Sequence, residues 1–254
     1  MSLFDLTGKT IVITGGNRGI GLSLAHHLHQ FGANIVILAR DIQQNQLALK
    51  TLSEKGERVL SIECDVTNSA SVNQAMAEAA NWQGGIYGCI ANAGGRSDGY
   101  EFAEMPESVW EKTLSTNLTG TFNTFQAALK YIKNNEKGRL LAISSLAAWH
   151  GNANFADYAS SKAALEGLCR ALAIELAPFN ITVNCLVPGW IDTEMNAAVK
   201  ADKRQFEAIK RLRIPLRRWA EPDELAGAAV YLMSDSSSYH TGDSLVVDGG
   251  YHIA

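Results

Sequence analysis

Apolar runs of strand length alternate with amphipathic stretches of helix length from one end of the chain to the other. The runs fall at 10–14, 34–39, 58–64, 87–91, 139–144, 181–187 and 244–247, and pieces such as TIVIT and NIVILA are apolar nearly throughout. Strands covered on both faces read this way, whereas strands with one wet face alternate. The clearest helical patterns lie between them, at 19–31, 69–81, 107–132, 158–177 and 222–234. Helices that follow strands in strict rotation connect parallel neighbours by right-handed crossovers. The pattern therefore predicts an α/β fold, a doubly wound, seven-stranded parallel sheet with helices on both faces, in three layers.

Only five prolines are present, and no Gly/Ser-rich or Pro-rich linker breaks the rhythm, so one domain over 1–254 is expected. The exception is 190–219, which separates the sixth strand from the next clear helix and contains the basic run KRLRIPLRRWA. An insertion of that length reads as a lid or partner segment over the site. The alternative is a solvated helix with basic residues near its end.

Composition narrows the classes further. With 46% hydrophobic residues, 19% charged and a formal net charge of −4, the chain belongs with ordinary globular proteins, not with disordered or fibrous ones. The acidic balance argues against a nucleic-acid partner. No stretch approaches the 18 or so apolar residues of a membrane span. The N-terminal MSLFDLTGK lacks a basic region followed by an apolar core, so the expected compartment is the cytoplasm. Cys64, Cys89, Cys169 and Cys185 are isolated in apolar segments and read as reduced core residues. His26, His27 and His29 crowd one segment without a nearby carboxylate or cysteine, which reads as a solvated helix face, and no metal is expected.

Directly after the first strand, TGGNRGIG places Gly15, Gly19 and Gly21 where the chain turns into a helix, with Asn17, Arg18 and Ile20 between them. Glycines at such a turn let the backbone approach a pyrophosphate, whose charge is stabilised by the free N–H groups at the helix start. The spacing departs from Gly-x-Gly-x-x-Gly, but the strand-to-helix context is that of a Rossmann-type dinucleotide site. Some twenty residues on, where an acidic residue would accept from a ribose hydroxyl, the chain reads Ala39-Arg40. An arginine suits a 2′-phosphate instead, and Arg18 can close on it from the glycine turn. Two cations there favour NADP(H) over NAD, with Asp41 as the opposing signal.

Further on, YASSK sets Tyr158 and Lys162 one helical turn apart, on one face. A neighbouring ammonium, helped by the positive charge of an oxidised nicotinamide, favours tyrosinate, so Tyr158 is expected to have a lowered pKa and to serve as general acid/base. Ser145 stands at the end of the fifth strand, on the ligand side of a parallel sheet. With Asn92, Ala93 and Gly94 in NAG and Asn117 in STNLTG, these motifs occur in an order that resembles the short-chain dehydrogenase/reductase family, in its single-domain branch, over nearly the whole chain.

That resemblance implies a catalytic tetrad of Asn117, Ser145, Tyr158 and Lys162. In it Tyr158 protonates a carbonyl oxygen held by Ser145 as hydride arrives, Lys162 also binds the nicotinamide ribose, and Asn117 holds a water that relays protons to Lys162. It further implies that Asp65 and Val66 meet the adenine, and that Pro188, Gly189, Ile191 and Thr193 close over the nicotinamide. The substrate wall is expected to include Trp149, Phe155 and Trp190, with Arg96, Ser97, His150, Asn152 and Met195 nearby, the alternative for Trp149 and Phe155 being that they are packing residues. The implied activity is an NADP-dependent ketoreductase interconverting a ketone and a secondary alcohol, and the mixed aromatic and polar wall suits a mid-sized compound. Alternatives are 3-oxoacyl-carrier-protein reduction and sugar or polyol dehydrogenation. Relatives that accept a carrier protein dock it on basic residues, whereas the matching places here hold Glu136 and Phe179, which leaves Lys133, Lys137 or the basic run from Lys210 to Arg218 as the alternative dock. Enoyl reductases of the family space Tyr and Lys more widely, sugar-nucleotide epimerases carry a longer C-terminus, and a non-enzymatic NADP sensor would not need Tyr158. The resemblance also implies a homotetramer packed through 107–132, 158–177 and the last strand.

Overall fold

A computed structural model describes residues 2–53 and 58–254, with Ser53 described by its backbone alone. The apolar runs form β1 (Thr10–Thr14), β2 (Asn34–Ala39), β3 (Val59–Glu63), β4 (Gly88–Ala91), β5 (Gly138–Ile143), β6 (Ile181–Pro188) and β7 (Ser244–Val247). All pair in parallel, in the order β3-β2-β1-β4-β5-β6-β7. The winding reverses between β1 and β4, which leaves a crevice above their carboxyl ends.

Period-two alternation sorts β1 between two cores. Ile11 and Ile13 face one side, among Leu24 and Leu28 of α1 (Gly19–Gln30) and Ala229 and Met233 of α10 (Ala226–Met233). Val12 faces the other, among Met76 of α3 (Ser69–Ala80), Phe125 of α5 (Gly120–Ile132) and Cys169 of α7 (Ala156–Leu176). Every one of these side chains is at most 1% exposed, so β1 is dry on both faces, as a central strand of a covered parallel sheet should be.

The structure departs from the sequence expectations in three places. The helix expected over 107–132 is α4 (Glu107–Leu114), a π-helical turn at Ser115–Thr119, and α5. The extra residue in that turn accompanies long-range hydrogen bonds of Asn117, which the helical period cannot reveal. The helix expected from 158 begins at Ala156, and the one expected from 222 opens as a 3-10 turn over Pro222–Leu225. Between β2 and β3 lies α2 (Ile42–Ser53), which buries little beyond Ala48, Leu52 and Asn45 and so shows a weak apolar stripe.

The insertion after β6 carries α8 (Ala197–Ala201) and α9 (Lys203–Leu212), the latter capped by Asp202, whose carboxylate accepts from the Arg204 and Gln205 amides at 3.0 and 3.1 Å. Its two ends meet. Ile191 bridges Ala220, Trp190 stacks on Trp219 with ring centroids 5.1 Å apart, and Phe206 of α9 meets Trp219 edge-on. The four cysteines are buried and unpaired. Among the described residues no helix is long and apolar enough to cross a membrane.

Candidate active site

Above the switch point opens a cleft of about 840 Å³, walled by the segments that follow β1, β2, β3, β4, β5 and β6. Its floor is the glycine turn. Gly15 lies at φ +63° against the segment after β4, where a Cβ would come within 3.0 Å of Asn92 Nδ2. Asn92 fixes this contact by donating from Nδ2 to the Thr14 and Gly15 carbonyls at 3.0 and 3.1 Å, while Thr14 Oγ1 accepts from the Asn92 and Ala93 amides. Gly21 lies beneath the turn and off the cleft wall. A Cβ there would sit 2.3 Å from the Gly15 carbonyl oxygen, so only glycine lets α1 start this close to β1. No side chain caps the start of α1, and Gly15, Asn17, Arg18, Gly19 and Ile20 all line the cleft. Such an end suits a phosphate.

Arg18, Arg40 and Asp41 stand together at one end. Arg18 pairs with Asp41 at 3.3 Å and with Glu194 of the insertion at 3.6 Å. Asp41 is thereby engaged with Arg18, and its other oxygen accepts from the Gln44 amide at 3.0 Å. Arg40 also lines the cleft and, among the described residues, makes no ion pair. Asp65 and Val66 form the adjoining wall. Burial raises the Asp65 carboxyl, but the Thr67 N–H and hydroxyl, at 3.0 and 2.8 Å, and the charge of Arg40 outweigh it and hold the group below the usual carboxylate range.

Ser145, Tyr158 and Lys162 meet at the other end. Ser145 follows β5, its Oγ accepting from the Ala147 amide at 3.2 Å, and it is hydrogen-bonded to Tyr158 in the first turn of α7. Lys162, one turn on, is 5% exposed and donates from Nζ to the Ile143 carbonyl at 2.7 Å, 5.7 Å from the centre of the Tyr158 ring. Burial lowers its ammonium to about 8. Burial also pushes the Tyr158 phenol up, and the groups that oppose this are the Ser145 hydrogen bond and the charge of Arg96. Within the protein alone, without the charge of an oxidised nicotinamide, burial outweighs these groups and the phenol is raised, so Lys162 by itself does not lower it.

Asn117 is brought close but does not reach the cleft wall. It is 1% exposed, exchanges two hydrogen bonds with Gly95, and donates to Ser161 Oγ at 2.9 Å. It braces the site from behind. Gly94 fills the space between, where a Cβ would come 3.0 Å from Asn117 Oδ1 and 3.4 Å from Lys162 Nζ.

Asn92, Ala93, Gly94, Pro188, Gly189, Ile191, Thr193 and Trp190 all line the cleft, as do Arg96, His150, Asn152 and Met195. Trp149 and Phe155, expected on the substrate wall, stand elsewhere. Trp149 donates from Nε1 to Glu166 Oε2 at 2.9 Å and packs on His252, and Phe155 lies beneath the Arg96 guanidinium. Ser97 is likewise off the wall. Sequence reasoning missed Tyr251, which reaches the cleft from the C-terminal tail and leaves no local signal. It also missed Glu166, whose signal was a glutamate one turn beyond Lys162 on an otherwise apolar face. Glu166 is 6% exposed and accepts from Ser144 Oγ at 3.1 Å.

A switch-point cleft with a glycine cradle at one end and a Ser–Tyr–Lys cluster at the other defines a dinucleotide-dependent oxidoreductase of Rossmann architecture. The family model described as enoyl-(acyl carrier protein) reductase matches residues 15–252. The chain is 35% identical over 252 residues to 5-keto-D-gluconate 5-reductase of Escherichia coli, covering 99% of this chain and 98% of that protein. It is 35% identical over 242 residues to the 3-oxoacyl-[acyl-carrier-protein] reductase MabA of Mycobacterium tuberculosis, covering 95% and 92%. The crystal structure of a gluconate 5-dehydrogenase from Burkholderia cenocepacia in complex with NADP and tartrate superposes with a TM-score of 0.94, at 32% identity, over 99% of this chain and 98% of that one. The chain belongs to the short-chain dehydrogenase/reductase family.

Proposed function

We propose that the protein is an NADP(H)-dependent ketoreductase that interconverts a small ketone and a secondary alcohol. The observation that carries this reading is the meeting of Ser145, Tyr158 and Lys162 at the end of a cleft whose other end is the glycine cradle. Gly15, Asn17, Arg18, Gly19 and Ile20 would hold the pyrophosphate, Arg40 the 2′-phosphate, Asp65 and Val66 the adenine, and Pro188, Gly189, Ile191 and Thr193 the nicotinamide side. Bound NADPH supplies the hydride. Ser145 would hold the carbonyl oxygen and Tyr158 would give it a proton, while Lys162, one turn on, would hold the ribose and return a proton to Tyr158, itself being reprotonated from solvent water. Asn117 keeps Gly94, Gly95 and Ser161 in place around them.

The bound NADP in the gluconate 5-dehydrogenase supports the cofactor assignment. Although the matching family model is described as an enoyl reductase, the four-residue spacing from Tyr158 to Lys162, with Ser145 beside them, argues for carbonyl chemistry. Carrier-protein delivery is the weaker reading. Glu136 and Phe179 lie before β5 and β6, at the end of the sheet away from the cleft.

We extend the reading to a cytoplasmic homotetramer, with the insertion over 190–219 as lid. Apolar side chains at Phe122 of α5, 46% exposed, and Ile174 of α7, 81% exposed, support packing through those helices. Sedimentation as a monomer would overturn the tetramer. The activity is tested by NADPH oxidation against neutral ketones, sugar-derived ketones, oxo acids and a 3-oxoacyl thioester. Turnover is expected for the native chain and not for Tyr158→Phe, which should still bind NADPH. Turnover that survives this substitution would remove Tyr158 from its role.

A further inference from the structure

The cleft wall carries four cations, and three have a task within the protein or toward the cofactor. Arg18 is held by Asp41 and Glu194, Lys162 by the Ile143 carbonyl, and Arg40 stands with Asp65 at the opposite end from Tyr158. Arg96 is different. It lies on the segment after β4, half-buried, on the cleft wall and near enough to Tyr158 for its charge to act on the phenol. Among the described residues no carboxylate pairs with it.

Its plane is nevertheless fixed. The guanidinium stacks on the Phe155 ring, 5.1 Å from the centroid, and Nη2 donates to the Met195 carbonyl at 3.0 Å. Gly99 makes room for this platform, since a Cβ there would come within 3.0 Å of the Phe155 ring. A guanidinium has five N–H donors. The bond to Met195 uses one and leaves four for a ligand. The carboxylates on the cleft wall cannot satisfy them, because Asp41 and Glu194 are engaged by Arg18 and Asp65 by Thr67. A partly desolvated arginine of fixed orientation, with no carboxylate partner and on the same cleft wall as the general acid, is arranged to receive an anion in two-pronged fashion.

We propose that Arg96 is the specificity-determining residue for an anionic substrate, and that the ketone this enzyme reduces is an oxo acid whose carboxylate is received on the Arg96 fork. The inference rests on the ketoreductase reading and adds the charge of the substrate to it. A carboxylate fits better than a phosphate. One planar fork matches the two oxygens of a monoanion, whereas a dianionic phosphate near Tyr158 would have no second unengaged cation.

The test compares short 2-, 3- and 5-oxo acids with their methyl esters and amides, and with a phosphorylated ketose, using NADPH and the intact protein. The acids are expected to exceed their esters in kcat/KM by roughly 10- to 150-fold, the range of a charge-assisted hydrogen-bonded contact. The difference should lie mainly in KM. Arg96→Gln should bring the acid-to-ester ratio close to one, and Arg96→Lys should restore part of it. NADPH binding followed by fluorescence shows that the variants are folded. Esters turned over as well as acids, a preference for the phosphorylated ketose, or an acid preference that persists in Arg96→Gln would each overturn the assignment of Arg96 while leaving the ketoreductase intact. No turnover of any ketone, charged or neutral, would remove both.

Discussion

Asn117 and Gly95 exchange two hydrogen bonds: the Gly95 N–H donates to Asn117 Oδ1 and Asn117 Nδ2 donates to the Gly95 carbonyl, each at 2.9 Å. A side-chain amide here does what a neighbouring strand would do, and it ties the π-helical turn to the segment leaving β4. Asn117→Ala leaves the Gly95 N–H and C=O and Ser161 Oγ without this partner. Thermal unfolding should drop by roughly 4–8 °C, for a loss of about 2 kcal/mol. We expect kcat to fall at least about tenfold, because Gly94 and Lys162 share this wall. A variant with native melting and native kcat would show that the brace is dispensable.

Lys162 makes stability depend on pH in the direction opposite to that of a lysine whose ammonium is held by a carboxylate. Its ammonium titrates at about 8, against 10.5 for an ordinary lysine. Below pH 8 the group is charged in folded and unfolded chains alike, and the folded chain bears a burial penalty of roughly 3 kcal/mol. Between pH 8 and 10.5 the unfolded chain holds a proton that the folded chain has released, so stability rises with pH. Lys162→Met has no such slope. Denaturant unfolding from pH 7 to 10.5 should show the native chain gaining up to about 3 kcal/mol on the methionine variant. Parallel curves would mean that Lys162 is hydrated.

The two arginines at the cofactor end should contribute unequally. Arg40→Asp should reduce kcat/KM with NADPH by roughly 10- to 150-fold and leave NADH turnover nearly unchanged, since a 2′-phosphate loses a charged partner. Arg18→Ala should cost less, because Arg18 must share its guanidinium with Asp41 and Glu194. Steady-state kinetics with both nucleotides decides this. An equal loss with NADH would assign Arg40 to general cofactor binding.

Trp149→Phe tests packing against substrate contact. The phenyl ring keeps an aromatic face toward His252 but leaves Glu166 Oε2 without its indole donor. A stability loss of about 1–2 kcal/mol is expected, with KM for the ketone within about twofold of native. A tenfold rise in KM would return Trp149 to the substrate wall.

These residues also show what the chain reveals before it folds. The sheet was legible because all seven strands are parallel and covered, so each is a short apolar run between helices. The cradle and the Tyr158–Lys162 pair were legible because their chemistry depends on local spacing. The π turn was not. Residues 115–119 suit an ordinary helix, and only the distant Gly95 and Ser161 explain the wider turn. Trp149 misled because a large aromatic beside the tetrad reads as a pocket wall until its donor is seen on Glu166. Arg96 had a plain position but no visible meaning, since Phe155 and Met195 are far along the chain.

Joining the two ends of the insertion at Ile191–Ala220 and Trp190–Trp219 separates its history from that of the catalytic frame. A loop pinned at its neck presents the same boundary to the sheet whatever lies within it, and the entropic cost of changing its length grows only slowly. Substitutions and length changes between the two tryptophans can therefore reshape one wall of the cleft while Ser145, Tyr158 and Lys162 stay in register. New specificity can be explored there by variation confined to one exchangeable cassette.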